Sequence, residues 1–300
     1  MTTVAVIAHA GKTIEGGLPE LRRALARHGV NDPLWAEVPK SKKAPKQVQR
    51  LLRAGADHFF VWGGDGMAQR CIDTLAGTGV TVAIVPTGTS NLLATNLGIP
   101  KDIEAAVRTG LDGQPRLIDV ASMNGERFAV MAGTGFDADM IAGADGRLKD
   151  RLGRAAYIWT GTKSLRSSPF QAKIRVDGIP WYSGTASCIL AGNVGALFGG
   201  VQVFADAEPD DGMLDLAVIT ADGVAEWAST VGRTIAGSPE RSPHFRMTKA
   251  RKVKVKLDRK ILYELDGGTR TKVKSYRIKV EPQAIAVCVP PQAQNGDKSA

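Results

Sequence analysis

The chain has 300 residues, with 39 Lys and Arg against 30 Asp and Glu, a net charge of +9 and a pI near 9.5. At 43% hydrophobic and 23% charged it is neither a collagen nor a mucin nor a wholly disordered chain. No apolar run approaches the ~18–20 residues of a membrane span, and the length allows about two domains. The basic excess points to an anionic partner: nucleic acid, nucleotide phosphates or an acidic membrane surface.

The start, MTTVAVIAHAGKT, has no basic segment and no apolar run ending in a cleavage site, so no signal peptide is expected. Cys71, Cys188 and Cys288 lie far apart and fit a reducing cytoplasm. The four histidines, His9, His28, His58 and His244, are isolated and lack a second ligand at motif spacing.

In chain order, residues 4–9 read as a buried strand, 18–28 as a helix stopped by Gly29, and 34–38 as a short strand. Residues 45–54 form a second helix, 57–62 a buried strand, 67–76 a helix, 80–85 a strand and 90–97 a helix. Strands alternating with helices across short turns predict a parallel α/β sheet. Near residue 117 the pattern changes. Strand-like runs follow at 117–121, 127–132, 172–177, 181–192, 201–204, 214–219, 252–257, 260–265, 273–280 and 284–289. Asp177-Gly178 and Asp266-Gly267 are turn signals among them. Helical stretches at about 147–166 and 222–236 interrupt the series. The expected architecture is an N-terminal parallel α/β nucleotide-binding domain, 1–120, and a C-terminal antiparallel β-sandwich domain, 121–290. A return of its final strands to the first domain is allowed, and 291–300 is a polar tail.

Two turns carry candidate chemistry. Gly63-Gly64-Asp65-Gly66 follows a strand and opens a helix. Glycines there let the backbone approach a phosphate, and the helix start supplies oriented N–H groups. Asp65 can reach Mg²⁺, a cation that prefers oxygen ligands. An ordinary strand-to-helix turn accounts for the same residues equally well. Pro86-Thr87-Gly88-Thr89-Ser90-Asn91 also joins a strand to a helix. In a parallel sheet both turns emerge at the C-terminal edge, where ligands bind. Thr89 and Asn91 can donate to phosphate or ribose oxygens; a capped helix start is the plainer reading.

The segment GGDGMAQRCIDTLAGTGVTVAIVPTGTSNLLATNLGIP resembles the catalytic domain of the diacylglycerol and lipid kinase family, which joins sphingosine and ceramide kinases and, more remotely, NAD kinases. Asp119, AGTGFDA (132–138), FADAEPDDGMLDLAVI (204–219) and YELDGG (263–268) extend the resemblance in the family's order. The resemblance implies ATP in a cleft between an α/β domain and a β-sandwich. It implies nucleotide contacts at Gly63, Gly64, Asp65, Gly66 and Thr89, with Asn91 a neighbour. Lys40 and Lys43, in the loop PKSKKAPKQ where relatives often carry a Thr, would flank the triphosphate. A solvated loop explains these lysines as well. Glu208-Pro209-Asp210-Asp211-Gly212-Met213 resembles a magnesium-holding turn, with a carboxylate from Asp211 and backbone carbonyls from Glu208 and Met213. Taken alone it reads as a solvated acidic turn. The implied reaction is phosphoryl transfer to a hydroxyl. Asp266 is the expected base, or a group that orients a substitute, and Asp65 its catalytic companion.

The chain departs from the pattern. The family's Asp-Gly-Glu turn reads Asp266-Gly267-Gly268, GGDGT reads GGDGM with Met67, the following helix has Arg70 in place of a Glu, and Leu92 replaces an Asp. These departures bear on catalysis and leave the fold expectation intact. Gly11-Lys12-Thr13 resembles the end of a P-loop, but Val6 stands where that motif needs Gly.

The basic excess is local. Residues 246–279 hold 13 Lys and Arg against three carboxylates, +10, which leaves −1 for the remainder. Lys252-Val253-Lys254-Val255-Lys256-Leu257 puts lysines on one face of a strand. That face either attracts anionic headgroups or keeps strands from aggregating. Tyr157, Trp159 and Leu165 could line a lipid groove or belong to the core.

The favoured reading is an ATP- and Mg²⁺-dependent lipid kinase, converting diacylglycerol or a similar lipid to phosphatidic acid. It would be cytoplasmic and peripheral on the inner face of an anionic membrane. No nucleic acid partner is expected, and a homodimer is allowed. The alternatives are an NAD kinase-like enzyme and a catalytically impaired nucleotide- or lipid-binding homologue.

Overall fold

A computed structural model describes residues 2–135, 169–197 and 201–291. The chain divides into two compact units, one of Met1–Ile118 with Ile285–Ala300, the other of Asp119–Ala284. Expectations for the helix at 147–166, including Tyr157, Trp159 and Leu165, for residues 136–138 and for the tail beyond 291 lie outside the described residues.

In the first unit, β1 (Val4–His9), α1 (Gly17–Arg27), β2 (Leu34–Val38), α2 (Ala44–Arg53), β3 (His58–Gly63), α3 (Asp65–Leu75) and β4 (Thr81–Pro86) alternate as predicted. β1 pairs in parallel with β2 on one side and β3 on the other, and β3 pairs in parallel with β4. The order 2-1-3-4 reverses direction at β1 and β3, the kind of switch point where open α/β sheets bind ligands at the carboxyl ends of their strands. β3 runs His58-Phe59-Phe60-Val61-Trp62-Gly63, buried from Phe59 onward. Such a run suits a strand covered on both faces.

α4 (Leu92–Asn96) is shorter than predicted, and α5 (Ile103–Asp112) was not predicted. Its start carries a signal: the Asp102 side chain accepts a hydrogen bond from the Ala105 amide at 2.7 Å. Gly110 weakens the helical pattern. It is there for packing, because a Cβ would stand 2.5 Å from the Phe60 ring and 2.7 Å from Ala83 Cβ.

The second unit is antiparallel β, as expected. β5 (Gln114–Met123) leads into it, followed by β6 (Glu126–Phe128), β7 (Met131–Thr134), β8 (Phe170–Val176), β9 (Ile179–Ala186) and β10 (Cys188–Gly192). β11 (Ala196–Leu197) and β12 (Val201–Gln202) form a small ribbon. β13 (Leu214–Ile219), α6 (Gly223–Ile235), β14 (Phe245–Ala250), β15 (Lys252–Leu265) and β16 (Gly268–Val289) complete it. The predicted strand 181–192 is two strands that change partner at Ser187: β9 pairs β8, whereas β10 pairs β7 and β13. Conversely, 252–257 and 260–265 are one strand with register shifts, and 273–280 and 284–289 are one strand. β14 was missed. Asp177-Gly178 and Asp266-Gly267 have φ of 50° and 90°, and of 46° and 77°. Positive φ at both central residues is the signature of a tight two-residue hairpin. Phe128, Phe170, Ile174, Leu216, Val255 and Ile278 lie in the core of this unit. Residues 285–289 of β16 return to the first unit, where Ala286 and Val287 pair in parallel with Thr81 and Val82 of β4.

Candidate functional site

In the first unit the two glycine-rich turns interlock. The Thr87 amide donates to the Gly63 carbonyl at 3.0 Å. A Cβ on Gly88 would come 2.6 Å from Gly64 Cα, and one on Gly64 would come 3.0 Å from Gly88 Cα. Only glycine at both positions allows this approach. Gly63 is required as well, since its Cβ would strike Met67 Cβ at 2.3 Å. Met67 is therefore a buried packing residue, 2% exposed, and the hydroxyl its relatives carry has no counterpart here.

Asp65 closes the same structure. Its Oδ1 accepts the Leu92 amide at 2.5 Å. Burial raises its pKa above the ordinary carboxylate value, and the amides at the start of α4 oppose that rise. The carboxylate thus ties the first turn to the second through α4, an engagement the sequence reading, which offered it to magnesium, the nucleotide and catalysis, did not foresee. Asn91 also receives a different task from the one expected. It is 3% exposed, with its Oδ1 accepting the Gly88 amide at 2.8 Å and its Nδ2 donating to the Gly88 carbonyl at 2.7 Å. Both ends of the amide shape the turn, and one of the two Nδ2 hydrogens is spent on it.

Gly66 and Thr89 remain exposed at the mouth of these turns. The 3-10 turn Ser41–Lys43 packs on α3, and Ser41 Oγ is the atom nearest the open side of Gly66, 3.9 Å from a Cβ placed there. Lys40 and Lys43 flank Ser41 and are exposed. Ser41 is a residue the sequence reading passed over, although it holds a hydroxyl in the loop where relatives often carry Thr. The Thr87 hydroxyl is buried without a hydrogen-bond partner. Helix-start amides, free hydroxyls and ammonium groups around two close-packed glycine turns form a donor set suited to phosphate oxygens.

In the second unit the predicted residues are joined through partners the sequence did not reveal. Asp119 is fully buried; its Oδ2 accepts the Gly212 amide at 2.6 Å, its Oδ1 accepts the Gln283 amide at 2.7 Å, and its own amide donates to the Pro209 carbonyl at 2.6 Å. It anchors the acidic loop. Asn193, 1% exposed, donates from Nδ2 to the Asp119 carbonyl at 2.9 Å and to the Ala129 carbonyl at 3.0 Å. Asp266 then holds the next segment: Oδ2 accepts the Ala129 amide at 2.9 Å, and Oδ1 accepts those of Val130 at 2.9 Å and Met131 at 2.8 Å. Three backbone donors on a residue 5% exposed make Asp266 a clamp between the hairpin and residues 129–131. This geometry favours the orienting role over the base.

Beside it, Gly268 leaves room that Arg270 fills. A Cβ there would lie 2.5 Å from Arg270 Nη1. The guanidinium donates to the Gly268 carbonyl at 2.6 Å and grips Glu126 through Nε at 2.8 Å and through Nη2.

In the acidic loop Asp211 Oδ1 accepts the Met213 amide at 2.8 Å, and Gly212 has φ of +73°. This is the side-chain-shaped turn of the plainer reading. Glu208 and Asp211 are exposed. Lys249 Nζ stands 2.6 Å from Asp211 Oδ2 and donates to the Asp206 carbonyl at 3.1 Å. The Asp211 carboxylate raises the Lys249 pKa, and burial raises that of Asp215. Oxygen donors suit a hard cation. Lys249 already balances Asp211, however, and among the described residues no three metal-ligating side chains converge. By its side chains alone the loop is no dedicated magnesium cage, and the carbonyls of Glu208 and Met213 would have to complete one.

Residues 3–123 match the diacylglycerol kinase catalytic domain, and residues 130–289 match the YegS C-terminal NAD kinase beta sandwich-like domain. The chain belongs to the diacylglycerol kinase and YegS-like lipid kinase family. It is 32% identical over 215 residues to a diacylglycerol kinase of Bacillus subtilis, covering 70% of this chain and 71% of that one. It is 30% identical over 281 residues to a probable YegS-like lipid kinase of Pseudomonas aeruginosa, covering 92% and 91%. In fold it is similar to the crystal structure of a putative diacylglycerol kinase from Bacillus anthracis, with a TM-score of 0.79, 22% identity and coverage of 96% and 97%. A more distant fold neighbour is an NAD kinase from Archaeoglobus fulgidus in complex with ATP, at a TM-score of 0.52 and 12% identity. As a member of this lipid kinase family, the chain is an enzyme of the kinase and transferase class. No helix among the described residues is long and apolar enough to cross a membrane.

Proposed function

We propose that this enzyme transfers the γ-phosphate of ATP to the hydroxyl of diacylglycerol or a similar lipid, giving phosphatidic acid. The observation that carries the proposal is the interlocked pair of glycine turns, whose exposed rim presents amides, Thr89, Ser41, Lys40 and Lys43. These groups receive the phosphates. Gly63, Gly64 and Gly66 let the backbone approach, while Asp65 and Asn91 hold the turns in register. Magnesium arrives with the nucleotide as MgATP, consistent with its habit of binding through phosphates and few carboxylates.

The lipid oxygen forms a bond to the γ-phosphorus as the bond to the bridging oxygen of ADP breaks, and the hydroxyl proton is released. Positioning and charge stabilisation supply most of the catalysis in such reactions. Asp266 contributes by fixing residues 129–131 and the hairpin. A second reading, a catalytically impaired homologue, draws on Gly268: a general base contributes about 10²–10⁴-fold, and a glycine cannot supply one.

The test is transfer of labelled γ-phosphate to short-chain diacylglycerol in neutral mixed micelles, run beside an NAD assay. Labelled phosphatidic acid, reduced by Thr89→Ala and Lys43→Ala, is the expected result. Transfer to NAD alone refutes the lipid assignment, and nucleotide binding without transfer to either supports the impaired reading.

A further inference from the structure

The exposed face of β8, β15 and β16 in the second unit holds seven cations: Lys173, Arg175, Lys252, Lys254, Lys256, Arg277 and Lys279. Their neighbours in sequence, Ile174, Val253, Val255, Tyr276 and Ile278, point the other way into the core. Register sets like charges directly opposite one another. Lys252 faces Lys279, Lys254 faces Arg277 on one side and Arg175 on the other, and Lys256 faces Lys173. Directly opposed like charges destabilise a sheet. Among the described residues, none of the seven forms an ion pair. Asp177, at the rim, turns its carboxylate onto the amides of Arg251 and Lys252, and Glu281, farther along β16, is tied to Arg127.

Guarding an edge against aggregation does not explain the arrangement, because β15 is paired on both sides over this stretch. An open dish of about 560 Å³ lies on the face, lined by Lys254, Lys256, Arg277 and Lys279 with Ser275 and Asn124. No aromatic side chain stands at the outward positions Gln171, Ser183, Thr185 or Ser275, so the face lacks a stacking platform for bases.

We propose that this face docks on the anionic headgroups of a bilayer, with the dish taking headgroup phosphates. The choice of a lipid partner rests on the lipid kinase reading. The repulsion built into the sheet is relieved when phosphates enter between the opposed cations.

The test uses the full chain and vesicles of phosphatidylcholine, with and without phosphatidylglycerol, in a sedimentation assay. The protein is expected to bind only the vesicles with phosphatidylglycerol and to be released by salt. Each basic residue near an anionic surface is worth about fivefold in partition, so Lys254→Gln/Lys256→Gln/Arg277→Gln should lower binding about 100-fold. A control lacking three cations of the other unit, Arg50→Gln/Arg53→Gln/Lys101→Gln, should stay near wild type. Thermal melts confirm folding, and transfer to short-chain diacylglycerol in neutral micelles should be unchanged by the triple variant. Equal vesicle binding by wild type and triple variant, no binding by wild type, or preference for duplex DNA over vesicles overturns the proposal. Absence of transfer in neutral micelles with vesicle binding intact would instead count against the kinase reading alone.

Discussion

Replacing Asp266 with Asn separates a clamp from a base. The carboxylate accepts three buried amides, Ala129 on Oδ2 and Val130 and Met131 on Oδ1. Asn keeps one oxygen for Val130 and Met131 but sets an NH₂ group against the Ala129 N–H. A hydrogen bond to a charged group contributes about 1.5–3 kcal/mol and a stranded buried donor costs about 1–3 kcal/mol, so a loss of about 2–4 kcal/mol is expected. For a unit of this size, 1 kcal/mol moves Tm by about 2–4 °C, which places the variant about 4–16 °C below wild type. A thermal melt of the full chain followed by circular dichroism reads this directly, and Asp266→Ala should fall further. Transfer should weaken in parallel with the lost structure. A Tm equal to wild type with transfer abolished refutes the clamp and returns Asp266 to the role of base.

Gly88→Ala should cost about 1–3 kcal/mol through overpacking and sharply reduce nucleotide affinity, since its Cβ has no room beside Gly64 and Asn91. Gly66→Ala, whose Cβ meets nothing closer than Ser41 Oγ, should retain stability; urea melts of the pair check the contrast. Gly268→Glu should raise transfer by about 10²-fold if the flexible Arg270 yields its place, and no gain in an already active enzyme argues against an impaired site. Asp65 is held above its ordinary value near 3.8 by burial. Its contribution to stability is therefore fully present below that value and is lost as pH rises through the higher folded value. The stability of wild type relative to Asp65→Asn should then decline across this window, and a pH-independent difference in urea midpoints refutes it.

The alternation of the first unit was legible because β1, β3 and β4 are near-continuous apolar runs between glycine turns. α5 escaped because Gly110, demanded by the Phe60 ring, dilutes its helical pattern. The second unit yielded its strands but not their pairing. Nothing local reports that the segment 181–192 changes partner at Ser187, a matter of tertiary packing. The glycine turns were readable as motifs, whereas the engagement of Asp65 with Leu92 and of Asn91 with Gly88 was not. Spacing gives residue types near a ligand; it does not say which of them spend their hydrogen bonds on the fold. Asn193 and Lys249 were missed for a related reason. Asn193 acts on Asp119 and Ala129, 74 and 64 residues away, and Lys249 on Asp211, 38 residues away.

The return of β16 to β4 has a consequence for synthesis. Ala286 must find Thr81 across more than 200 intervening residues. Long-range pairing of this kind slows folding, although each doubling of loop length adds only about 0.6 kcal/mol of closure entropy. On the ribosome the first sheet waits with the β4 edge open until the whole second unit has been made. The glycine turn at the end of β4 therefore gains its final support late, and a chain stopped short of residue 285 would expose that edge to pairing with other chains.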